Sequence, residues 1–239
     1  MYASIYRARL QRGLAALATA LGLVLAAAPA GAQETEAKHV ALLQAALKLA
    51  EALEGDRWEG IRNLLGGARG IYLVPSAARG GFIVGGKRGE GVLLARHGQE
   101  WSDPLFITLT TVGVGFQIGF QSEDVIAVAL TRGAVDRIVD GVAKSGGEGG
   151  FALGKGVASG GSGSAGSGVE VLVFSLAKGL YAGSNIERMS MGPDRPLNAA
   201  AYGEDADLAS VVGASGGRVP AASELRALLR KLVQEAQAP

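Results

Sequence analysis

Residues Pro104–Gln121 read PLFITLTTVGVGFQIGFQ, and Asp124–Thr131 follow as DVIAVALT. The first run is apolar and rich in β-branched residues, which fit a pleated, half-buried surface, so it reads as strand. Gly113, Gly115 and Gly119 lie inside it, and Gly154 and Gly156 lie inside a later strand-like run. Glycine weakens a strand interior unless the sheet bends sharply or another backbone comes close. A strongly curved, barrel-like sheet accounts for this pattern.

Working outward, the flanking segments keep the strand period. Gly70–Pro75 (GIYLVP) reads as a short strand stopped by its proline, followed by Gly81–Gly86 and Gly89–Arg96, then Phe151–Ser159, Val169–Leu176 and Gly179–Ile186. Helical spacing appears mainly at the two ends. In Ala37–Leu53, Val40, Leu43, Leu47 and Ala50 form an apolar stripe, and Gly55 is placed to end the helix. In Ala221–Gln237 the stripe is Leu225, Leu228, Leu229, Leu232 and Val233, with Ser223 as the expected N-cap. Short helices are expected over Trp58–Leu65 and Arg132–Val142, and a loop-rich connector around Pro193, Pro196 and Gly203. Consecutive strands with helices gathered at the ends define an α+β chain with a mainly antiparallel, barrel-like sheet and amphipathic terminal helices.

The first 32 residues read as a signal peptide. Arg7, Arg9 and Arg12 form a basic start, Gly13–Ala28 is an uncharged apolar run of about 16 residues, and Ala30-Gly31-Ala32 suits signal peptidase. Such a run is short for a bilayer at about 1.5 Å per residue. The expectation is cleavage after Ala32, export to the periplasm or medium, and one domain over residues 33–239. Cleavage removes three of the 23 basic residues and none of the 22 acids, leaving a net charge of −2. A general nucleic-acid binder would be basic, so that class is disfavoured. The basic residues are unevenly placed, however. Arg57, Arg62, Arg69, Arg79, Lys87, Arg88 and Arg96 face only Glu59 and Glu90 in the same segment.

Chemistry finds little support. There is no cysteine, which removes disulfides, thiol nucleophiles and thiolate metal sites. His39 and His97 fall on different elements, with no metal-ligand cluster around them. Asp136 and Asp140 share a helix face that reads as solvated. Gly149-x-x-x-x-Gly154-Lys155 lacks the Ser or Thr that a P-loop needs, and Gly161-x-Gly163-x-x-Gly166 leads into a strand where a dinucleotide fold needs a helix. No catalytic constellation, cofactor or metal is expected. The small face of Ala152, Gly154, Gly156 and Ala158 reads as a packing surface, and Ser159–Gly168 as a hairpin loop returning to Val169.

Several runs resemble one family in the right order. Ala68-Arg-Gly-Ile-Tyr-Leu-Val-Pro-Ser76 is similar to the A-K-G-I…P opening motif of the SYLF domain family, the lipid-binding or yeast actin-binding-like family. Trp101-Ser-Asp-Pro104, then Gly113-Val-Gly-Phe-Gln-Ile-Gly119 and Asp124-Val125, resemble its most specific run, and Gly179–Gly183 and Asn198–Gly203 resemble later signatures. The resemblance spans about residues 40–232. It implies a single-domain, non-enzymatic protein that binds lipid, with phosphoinositide and sometimes actin binding in eukaryotic members. The eukaryotic members use a basic amphipathic N-terminal helix on membranes. Here a signal peptide takes that place, and Ala37–Leu53 carries only Lys38 and Lys48, so actin binding and docking by that helix lack support. The expected site is an anionic lipid or membrane surface met by Arg79, Lys87, Arg88 and Arg96, with Phe82, Trp101 and Phe106 offering apolar contacts. The alternative is a structural or assembly protein of the cell envelope that binds another protein.

Overall fold

The computed structural model describes residues 30–81, 84–141, 143–144, 150–154, 169–178 and 182–238, with side chains described outside 30–33, 57, 79–85, 112–121, 143–144, 150–154, 169 and 175–188. Two compact units are distinguished, Met1–Thr35 and Glu36–Pro239, and the second holds the sheet. Helix α1 spans Ala30–Glu51 and gives way to a 3-10 turn, Ala52–Glu54, closed by Gly55, whose N–H reaches the Ala52 carbonyl. Helix α2 is Glu59–Leu65. The strands are β1 Gly70–Gly81, β2 Val84–His97, β3 Glu100–Trp101, β4 Leu105–Ala129, β5 Ala143–Lys144, β6 Gly150–Gly154, β7 Val169–Lys178 and β8 Ala182–Pro193. Helix α3, Arg132–Val139, follows β4. Helices α4 (Arg195–Tyr202), α5 (Leu208–Gly213) and α6 (Ser223–Gln237) close the chain.

One strand organises the sheet. The first part of β4 pairs with β2 along Leu105–Val114 and with β8 along Ile107–Ile118. Its second part pairs with β1 along Gly119–Ala129 and with β7 along Ser122–Ala129. Since β1 and β2 also pair with each other, the same strand is met twice in passing around the sheet. That is possible only if β4 curls between its halves, the segment where Gly115 and Gly119 lie. The result is a strongly curled, mainly antiparallel half-barrel with helices at both termini, as the strand glycines lead one to expect.

The curl gives two cores. On one face, Ile71, Leu73, Val92, Leu94, Ile126 and Val128 pack with α1, α2 and α6. On the other, Tyr72, Leu93, Leu105, Val125 and Ala127 pack with α3 and with Val212 of α5. The alternation along β1 and β4 follows from the period of two. Apolar burial contributes about 25 cal/mol per Å², so both faces stabilise the sheet. Inside the curl strands lie very close. A Cβ at Gly91 would sit 2.4 Å from the Leu73 carbonyl oxygen, which requires glycine there.

The structure departs from the sequence reading in several places. Gly81–Gly86 and Gly89–Arg96 are not separate strands, since β2 runs unbroken from Val84 to His97, and Pro104–Gln121 and Asp124–Thr131 fall on the single strand β4. β1 does not stop at Pro75: the register shifts between Val74 and Ala77, forming a bulge that leaves the proline unpaired. Ser76 takes φ 54° in that bulge, and its N–H donates to Asp124 Oδ1 at 2.9 Å. β6 and β7 pair in parallel, Phe151 with Val171 and Leu153 with Val173, so they are not a hairpin. Parallel neighbours need a connection of about a dozen residues or more, which the intervening segment supplies. The expected loop Ser159–Gly168 and the far half of the Ala152–Ala158 face lie outside the described residues. The connector is helical: Asp194 Oδ1 caps α4 by accepting from Leu197 N at 3.1 Å, and Pro196 occupies the first turn, where a missing N–H costs nothing. Finally, Ser223 is already helical after the 3-10 turn Pro220–Ala222 and makes no cap hydrogen bond.

Candidate functional site

The basic segment divides into different roles. Arg62 Nη1 donates to the carbonyls of Leu53 (3.1 Å) and Glu54 (2.9 Å). Arg96 Nη1 donates to Leu65 (3.0 Å) and Gly66 (2.9 Å), and its Nε to Gly98 (2.7 Å). Both guanidiniums therefore satisfy carbonyls left open at helix C-termini, where a cation is also favoured by the helix dipole. Burial, and then the neighbouring charge of Arg69, hold Arg96 below the ordinary guanidinium range. Arg69 itself is exposed and makes no ion pair among the described residues. Its carbonyl accepts from Arg96 N at 2.9 Å, which fixes the two arginines side by side.

Lys87 corrects the expectation of a surface cation. It is only 2% exposed and is ion-paired with Glu123, which is 4% exposed. Opposite Lys87 in the register stand Arg79 on β1 and Thr111 on β4. A buried charge persists only when paired and hydrogen-bonded, and this pair meets that condition. Arg88, next along β2, is exposed. The side chain of Arg79 and the whole of Phe82 lie outside what is described.

Trp101 and Phe106 are likewise core residues, not surface contacts. Trp101 is 1% exposed and its Nε1 has no hydrogen-bond partner among the described residues. Phe106 is fully buried and stacks on His39, with ring centroids 4.5 Å apart. His39 Nε2–H donates to the Leu197 carbonyl at 2.8 Å, so this histidine ties α1 to α4. Neither ring is presented to acyl chains.

The Trp101–Pro104 run acquires a role that spacing alone did not show. Asp103 is buried, and its carboxylate accepts the N–H groups of Gly217 (3.0 Å to each oxygen), Arg218 (2.9 Å) and Val219 (3.2 Å), as well as Arg226 Nη1 (2.8 Å). Gly216 passes so close that a Cβ there would lie 2.6 Å from Asp103 N. Ser102 Oγ accepts from Ala95 N at 2.9 Å, and Tyr202 donates to the Pro104 carbonyl at 2.5 Å. Asn198 accepts from Phe106 N (3.0 Å) and donates to Phe106 O (2.6 Å), matching a strand edge at the start of β4. The two most distinctive sequence runs thus lock together and carry architecture.

Among the described residues no group of three metal-ligating side chains converges, and no helix is long and apolar enough to cross a membrane. The curled sheet, its locked terminal helices and its separately held arginines define the scaffold of a binding domain. The comparisons agree. A family model described as Ysc84, Las17-binding protein actin regulator, matches residues 110–234, just over half of the chain, and the chain belongs to that family. It is similar to LAS seventeen-binding protein 3 of Saccharomyces cerevisiae, 29% identical over 143 residues, covering 58% of this chain and 31% of that protein. Protein YSC84 of the same yeast is 27% identical over 167 residues, 68% of this chain and 36% of its own length. SH3 domain-containing YSC84-like protein 1 of Xenopus laevis is 30% identical over 141 residues, 58% and 42% respectively. The matches therefore span under half the length of these relatives, the first of which is named for binding. No solved structure matches.

Proposed function

We propose that this chain is an exported, non-enzymatic binding protein that docks on anionic lipid headgroups. The observation that carries the reading is the side-by-side placement of Arg69 and Arg96, in which the one perturbing charge on Arg96 is another cation. Two neighbouring guanidiniums attract a phosphate, which can accept a forked pair of hydrogen bonds from Arg69, while Arg96, its Nε and Nη1 held by carbonyls, adds its charge. Arg88 adds an exposed cation further along β2, and Arg79 and Phe82 remain candidate contacts. Lys87, Trp101 and Phe106 support the scaffold instead. Export rests on residues 1–32, and intact-mass measurement of exported protein should find Gln33 at its N-terminus.

The test is co-sedimentation with phosphatidylglycerol vesicles and with phosphatidylcholine vesicles. Binding is expected only to the anionic vesicles, weakened by salt and by Arg69→Ala with Arg88→Ala. Equal binding to both vesicle types, or none to either, overturns the reading. A protein partner is the second reading, favoured by relatives named for binding Las17. A stable partner captured from envelope extract, with no vesicle binding, would select it.

A further inference from the structure

Several charged side chains among the described residues have found each other. Lys38 pairs with Glu90, Arg132 with Asp136, Arg137 with Glu170, Arg230 with Glu100 and Lys231 with Glu54. Asp140, Arg195 and Glu204 are among the exposed charges outside these pairs, and they are set apart by where they lie. All three are exposed, and none makes an ion pair or side-chain hydrogen bond among the described residues. They come from separate elements, the end of α3, the start of α4 and the loop after α4, yet all three line one cleft of about 550 Å³.

The walls of that cleft are unusually bare. Gly141 (φ 73°) and Gly203 (φ 96°) line it in left-handed conformations that favour glycine, and Gly192 adds a third position without a side chain. A ligand can therefore approach the backbone closely. Asn198 also lines the cleft, but its amide is committed to Phe106 and Asp194, so it anchors α4. Leu208 and Val139 supply only small apolar area, too little for an acyl chain. The volume falls in the range of about 300–1,000 Å³ usual for small-molecule sites.

Two carboxylates and one guanidinium, left unpaired around a small cleft, ask for a ligand bearing both signs. We propose that this cleft binds a small zwitterion with a primary ammonium and an oxyanion, the chemistry of a phosphoethanolamine group. The ammonium donates to Asp140 and Glu204. The oxyanion accepts the fork of Arg195, for which guanidinium geometry is suited. The group could be free in solution or carried on a lipid. The site is separate from Arg69 and Arg96 and does not depend on their role.

The experiment titrates the purified chain with glycerophosphoethanolamine by calorimetry and, in parallel, with vesicles rich in phosphatidylethanolamine. Arg195→Ala removes the fork, and Ala199→Phe fills the cleft from an α4 position that is partly exposed. Each should weaken binding at least about tenfold while leaving the thermal melt and anionic-vesicle docking unchanged. Glycerophosphocholine, whose trimethylated nitrogen has no N–H, should bind at least about tenfold more weakly. Binding of the soluble probe with this pattern supports a free ligand. Binding of the vesicles alone, with the same variant losses, supports a lipid-borne one. Failure of both probes, or binding that neither variant changes, overturns the proposal.

Discussion

Asp103 and Arg226, 123 residues apart in sequence, meet at 2.8 Å beneath the Gly216–Val219 loop, and the same carboxylate holds three consecutive N–H groups of that loop. Removing the carboxylate strands a guanidinium that is only 12% exposed together with those N–H groups. Breaking a buried pair in this way costs about 3–5 kcal/mol. Asp103→Ala should therefore lower the urea midpoint sharply, and Asp103→Asn, which keeps an acceptor, should lower it less. A loss under about 1 kcal/mol for the alanine variant would mean the loop is held by something else.

The Lys87–Glu123 pair predicts a non-additive pattern. With both side chains nearly excluded from solvent, Lys87→Met alone leaves Glu123 buried without its cation. That single change should destabilise by about 3–5 kcal/mol, whereas Lys87→Met with Glu123→Leu should be near neutral or stabilising. Denaturant melts of the two singles and the double form the cycle that measures this coupling.

Two glycines should respond to alanine with opposite signs. Gly91→Ala forces a methyl against the Leu73 carbonyl and should cost at least about 1–3 kcal/mol. Gly60 lies exposed within α2 with nothing near its would-be Cβ. Gly60→Ala should stabilise by about 0.5–1 kcal/mol, since alanine loses less backbone freedom in a helix. Thermal melts of both variants decide the matter.

Alkaline pH should unfold the protein before its buried phenols ionise. Tyr72 is raised far above the ordinary phenol range by burial, and Tyr202 by burial and then by the Asp103 carboxylate. A raised folded value means the unfolded state releases the proton first. The contribution is whole below the unfolded value of about 10 and falls as pH climbs from there toward the folded values. Absorbance at the phenolate band should show these two tyrosines titrating together with loss of structure. A smooth ionisation in the folded state would contradict the burial.

Local signals carried the curvature. Glycines inside apolar, β-branched runs have one economical explanation, so a curved sheet could be read from Gly113, Gly115, Gly119, Gly154 and Gly156, though not that a single strand, β4, runs through both of its halves. Long-range partnership could not be read. Lys87 looks like a surface cation until Glu123, 36 residues on, is placed against it. Arg62 looks like one more surface cation until the carbonyls of Leu53 and Glu54 turn toward it. Helices α4 and α5 escaped notice because each is short and Pro196 resembles a loop signal, whereas Asp194 and Asp207 were the caps that marked their starts. Asp140, Arg195 and Glu204 are far apart in sequence, and only the fold collects them.

The double use of β4 bears on how the chain reaches its structure. Gly70 pairs with Ala129 and Leu93 with Leu105, so the strand must hold a distant neighbour and a near one before either edge is complete. Closing such long loops early is entropically costly, and topologies of this kind fold slowly. The match to the family model begins at residue 110, inside β4, five residues after that strand starts. A fragment cut there would keep β7, β8 and the last helices but lose β1 and β2, leaving one edge of each half of the strand without its neighbour. Such a piece should remain unstructured or aggregate. The smallest unit able to fold should therefore begin upstream of β1, well before the region that the family model matches.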